Sequence, residues 1–190
     1  SPHASVEELF ALGRVAEATG GTGAGFRISG TEMGEADDLL VNADRTPNAE
    51  GARRLGMAEF EGSSLDVSGK VVVVLQNDLA GLDEAAAAAL RGAKSVVALS
   101  TDTNATTALA QVVLPIRNYA EKTGTFVNAK GRAQALNVAL GAPTGSLDAI
   151  EEAFARFVDR IHPEGLLVVG EQVPERVENA CRAHVWRMGR

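Results

Sequence analysis

Val71-Val72-Val73-Val74-Leu75-Gln76-Asn77-Asp78 is the stretch that decides the fold class. Five apolar residues in succession leave no polar face. A strand here is buried on both sides, as in a parallel sheet covered by helices. Gln76-Asn77-Asp78 then supplies a polar end to the strand. The same rhythm recurs downstream. Asp83 is placed to cap an alanine-rich helix that runs through Leu90 and stops at Gly92. Residues 95–99 form a second apolar strand, followed by the polar cluster Ser100-Thr101-Asp102-Thr103-Asn104. A short helix over 105–110 leads to a third strand, 111–114, and to Pro115. This β-α-β-α-β order with short loops is the pattern of a doubly wound sheet. Its crossovers are expected to be right-handed.

The pattern changes after Pro115. Residues 125–128 and 132–136 flank Ala129-Lys130-Gly131, and Gly131 can adopt positive φ, so this segment reads as a β-hairpin. Upstream, Ser5-Val6-Glu7-Glu8 has the spacing of a capping box. Leu9, Leu12 and Ala16 then recur at helical intervals as far as Gly20. Residues 26–29 read as a short extended piece. Asn48 is placed to cap a helix over 49–55, which Gly56 ends. Downstream, 141–145 reads as a linker and Ser146 as the cap of a helix over 147–161. Residues 166–169 read as a last strand. Val177, Cys181, Val185 and Met188 then recur at helical spacing after Pro174. The division expected is an α/β domain over 1–140 and a C-terminal helical extension over 141–190.

Bulk properties restrict the function classes. The chain has 190 residues, 45% of them hydrophobic, enough for one good core and short for two. The net charge of −7 argues against a nucleic-acid surface and against direct attraction to anionic lipid. The apolar runs are far too short to cross a bilayer, and no secretory leader is visible. Cys181 is the only cysteine, so no intrachain disulfide can form and no ordinary iron–sulfur cluster can be held by this chain alone. His3, His162 and His184 have no metal-ligand spacing. The glycine-rich run 20–25 follows a helix instead of a strand, the wrong order for a phosphate cradle, and reads as a connection.

Two segments resemble a known family. One is Asp44-Arg45-Thr46-Pro47-Asn48-Ala49-Glu50-Gly51-Ala52-Arg53-Arg54-Leu55-Gly56-Met57. The other is Ala110-Gln111-Val112-Val113-Leu114-Pro115 with Tyr119-Ala120-Glu121-Lys122-Thr123-Gly124-Thr125-Phe126-Val127-Asn128-Ala129-Lys130-Gly131-Arg132-Ala133-Gln134. The second is similar to the "VLP…AEK-GTF-N-EGR-Q" run of the large molybdopterin oxidoreductase subunits. That family includes formate dehydrogenases and the G subunit of respiratory complex I, and the Gly-Arg after the turn is closer to the latter. The resemblance covers roughly 44–134. It implies a Rossmann-like α/β fold and a fragment of a longer, multidomain subunit. As part of a complex I subunit, the chain would be a non-catalytic scaffold without cofactor. It would support electron transfer from NADH to quinone carried out elsewhere. Its partners would be the remainder of its own subunit and other peripheral-arm subunits, at the inner face of the bacterial plasma membrane. As part of a catalytic relative, it would contact molybdopterin guanine dinucleotide.

Under that alternative the cofactor-binding candidates are Asn77, Asp78, Thr101 and Asp102. They lie just past two strands, at the edge where open α/β sheets bind ligands. Asp and Thr at such places also turn the chain and cap the next helix, and capping alone accounts for these residue types. Glu121 and Lys122 read as anchors for the loop after Pro115. Arg132 reads as a carboxylate partner or a cover for the sheet. Cys181 reads as a small core residue. No catalytic residue and no metal ligand is expected.

Overall fold

The computed structural model describes residues 1–21, 23–39, 41–60, 64–143, 166–170 and 184–188. Helix α1 (Val6–Ala18) leads to strand β1 (Gly25–Phe26) and a 3-10 turn, Gly30–Glu32. Helix α2 (Ala49–Arg54) and strand β2 (Ala58–Glu59) follow. The central unit is β3 (Val71–Leu75), α3 (Leu79–Leu82), α4 (Glu84–Arg91), β4 (Ser95–Ser100), α5 (Ala105–Leu109) and β5 (Val112–Pro115). A hairpin of β6 (Gly124–Val127) and β7 (Ala133–Leu136) comes next. Strands β8 (Leu166–Gly170) and β9 (His184–Met188) pair with each other in parallel.

The three core strands lie in the order β3-β4-β5, all parallel, with Val71 opposite Ser95 and Val97 opposite Val112. Each strand sends alternate side chains to opposite faces. Val73, Leu75, Val97, Leu99 and Leu114 pack with Leu9, Phe26, Ala49 and Ala52, from α1, β1 and α2. Val72, Val74 and Val96 pack on the other side with Leu79, Ala86 and Leu90, from α3 and α4. The apolar runs are therefore covered on both faces, as the α/β reading requires, except at Val71 and Val113, which are exposed. No helix among the described residues is long and apolar enough to cross a membrane.

Several local expectations hold. Ser5 and Glu8 form the capping box of α1. Asp83 caps α4 through the Ala86 N–H at 2.7 Å. Gly131 takes φ = 77° in the hairpin loop, where Asn128 Oδ1 accepts the N–H groups of Lys130 and Arg132. The extended piece near Phe26 pairs in parallel with β2, Gly25 opposite Ala58.

Two expectations need correction. Asn48 occupies the N-cap position of α2, but its side chain makes no capping bond. Thr46 Oγ1 accepts the Ala49 N–H instead, at 3.3 Å, and the Asn48 amide is used elsewhere. The helix expected to run through Val185 and Met188 is a strand over His184–Met188. Val185 and Met188 fit a helical stripe, yet so short a segment fits a strand equally well. Pairing with β8 decides between them. The helix expected over 147–161, His162 and Cys181 lie outside the described residues.

Candidate functional site

All three core strands point their C-terminal ends the same way, so the turns after β3, β4 and β5 share one edge of the sheet. Gln76 leaves β3 with φ = 49°, a left-handed conformation that a non-glycine residue adopts only when its surroundings hold it. Its N–H donates to the Leu99 carbonyl at 2.8 Å. Its side-chain amide donates to the Arg117 carbonyl at 3.4 Å. Asn77 donates to the Arg27 carbonyl at 3.5 Å.

Asp78 is the most connected of the candidates. Its Oδ1 accepts the Gly81 N–H at 3.2 Å, which caps α3. The same oxygen accepts the Thr106 N–H at 2.9 Å and the Thr106 hydroxyl at 3.1 Å. Thr106 is fully buried, and its Oγ1 accepts the Ala80 N–H at 2.9 Å. The pair thus ties the end of β3 to the start of α5. Sequence reasoning missed Thr106, because nothing local marks a threonine that serves a carboxylate 28 positions away.

Thr101 and Asp102 lie in an exposed turn. Ser100 Oγ donates to the Asp102 carbonyl at 2.9 Å, and Asn104 Nδ2 donates to Asp102 Oδ1 at 3.3 Å. Asn104 and Thr107 form the capping box of α5. No hydrogen bond among the described residues joins Asn77 or Asp78 to Thr101 or Asp102. The four candidates share an edge but form two separate networks.

A dinucleotide phosphate at this edge would need open N–H groups and cations. Asp78 and Asn104 already hold N–H groups at the starts of α3 and α5, and the carboxylates of Asp78 and Asp102 stand at the same edge. The carboxylates oppose an anion here, while Arg27, bordering the edge through Asn77, has a buried Nη1 with no hydrogen-bond partner among the described residues. Among the described residues, no three His, Cys, Asp or Glu side chains gather where they could hold a metal ion.

Arg27 lies behind the same edge. Its guanidinium pairs with Asp83, tying the segment after β1 to the N-terminus of α4. That pairing, helped by the Ala86 N–H, holds the Asp83 carboxyl below the usual carboxylate range. A lowered folded-state pKa stabilises the fold above the ordinary carboxylate range. The contribution is lost as pH falls through the lowered value. Asp83→Asn keeps the capping oxygen and removes the charge. Denaturant midpoints followed from about pH 5 down to about pH 2 are expected to fall less steeply in this variant. An acid limb identical to that of the unaltered chain would contradict the pairing.

The segments that carry the family resemblance meet at β6 of the hairpin. Asp44 Oδ1 accepts the N–H and hydroxyl of Thr46, at 2.9 and 2.6 Å. Asp44 Oδ2 accepts from Arg53 at 3.2 Å. Asn48 is fully buried. Its Nδ2 donates to the Ala4 carbonyl and its Oδ1 accepts the Val127 N–H, both at 2.8 Å. Lys122 is buried too, and its Nζ lies 2.5 and 2.6 Å from the two oxygens of Glu8. Glu8 Oε2 also accepts the Ser5 N–H at 2.8 Å. Glu7 accepts the Thr125 N–H at 2.9 Å. Lys122 is therefore an anchor, as its sequence context suggested, with its partner in α1. Arg132 is exposed.

The family model of the molybdopterin oxidoreductases matches residues 3–148. The G subunit of the NADH-quinone oxidoreductase of Pseudomonas putida is 42% identical over 93 aligned residues, covering 44% of this chain and 10% of the relative. The protein of the same description from Pseudomonas fluorescens is 39% identical over 93 residues, with the same coverage. The matched stretch spans about a tenth of the length of these relatives. The family match covers most of the chain and includes the core sheet, the hairpin and both segments that meet at Asn48 and Lys122, so this chain belongs to the molybdopterin oxidoreductase family.

Proposed function

We propose that this chain is part of the molybdopterin-oxidoreductase-like domain of a complex I G subunit, where it acts as a scaffold without chemistry of its own. One observation carries the reading. The side chains of the family-like segments are engaged with one another and with the first helix: Lys122 with Glu8, Asn48 with Ala4 and Val127, and Asp44 with Thr46 and Arg53. The carboxylates of Asp78 and Asp102 and the capped N–H groups at the edge lend it further support, set against the Arg27 guanidinium nearby. In this reading residues 1–140 make the α/β domain and 141–190 an extension of it. The partners are the rest of the subunit and neighbouring peripheral-arm subunits. The chain reaches the inner face of the plasma membrane only through the complex.

The test uses the intact subunit and the assembled enzyme. Deleting residues 1–143 from the subunit is expected to leave the peripheral arm unassembled. Elemental and pterin analysis of the intact subunit is expected to find molybdenum and tungsten far below stoichiometry. An arm that assembles fully without the segment contradicts the scaffold role. Near-stoichiometric molybdenum or tungsten would instead favour a catalytic relative.

A further inference from the structure

We draw no further inference here: the strongest candidate, the exposed apolar patch of Met33, Leu39 and Val41 on the acidic loop between the 3-10 turn and α2, carries none, because nothing in the structure shows what covers it.

Discussion

Replacing Lys122 by methionine is expected to lower the unfolding free energy by about 3–5 kcal/mol. The ammonium and the Glu8 carboxylate are 2% and 6% exposed. Removing the lysine leaves an uncompensated carboxylate in a site that water does not reach. A domain of this size has about 5–15 kcal/mol in total, so the single variant stands near the limit of folding. The double variant Glu8→Leu/Lys122→Met keeps the matter decidable. It removes both charges and keeps much of the volume, and buried pairs exchanged in this way often leave stability unchanged or raised. The Ser5 N–H loses its capping-box acceptor, which reduces the recovery by about 1 kcal/mol. Urea unfolding at neutral pH would read both effects. A single variant as stable as the unaltered chain, or a double variant as unstable as the single, would show that the pair does not hold α1 to the loop before β6.

The fate of this pair shows what the sequence could and could not reveal. Both halves were visible alone: Glu8 as the third position of a capping box, Lys122 as an anchor after Pro115. Their meeting was not, because 114 positions separate them and each has a sufficient local explanation. The core strands were legible for the opposite reason. An unbroken, β-branched apolar run such as 71–75, bounded by polar and glycine residues, favours a buried strand whatever its distant neighbours are. The parallel pairing of β1 with β2 left no trace, since two residues per strand carry no period. At the strand-end edge, the positions of Asn77, Asp78, Thr101 and Asp102 just past β3 and β4 followed from the strand bounds. Their separation into two networks depended on Thr106 and Asn104, whose bonds are set by the geometry of α5. Arg27 offered no motif at all. Its pairing with Asp83 arises from the way β1 passes the start of α4.

Replacing Gly51 by alanine is expected to destabilise the fold by about 2 kcal/mol, against the usual direction for that change. In an ordinary helix interior, alanine is better than glycine by about 1 kcal/mol. Here an added Cβ would overlap the Asn48 amide oxygen, and forced overlap in a packed site costs about 1–3 kcal/mol. The amide cannot simply turn away. Its oxygen accepts the Val127 N–H and its nitrogen donates to the Ala4 carbonyl. Asn48→Ala is expected to cost about 2–6 kcal/mol, because each of those two backbone groups is then left without its partner at about 1–3 kcal/mol. The two changes should not add. Once Asn48 is alanine, the Cβ at position 51 meets no oxygen, and Gly51→Ala becomes neutral or favourable. The four proteins of this double-mutant cycle, unfolded in urea, should give a coupling of about 2 kcal/mol or more. Additive effects would separate Gly51 from Asn48 and remove the physical reason for finding both in one segment. A coupling of that size makes the asparagine and glycine one device that joins the chain's first residues, α2 and β6. The determinants of the family resemblance at this point act on the backbone of their own domain.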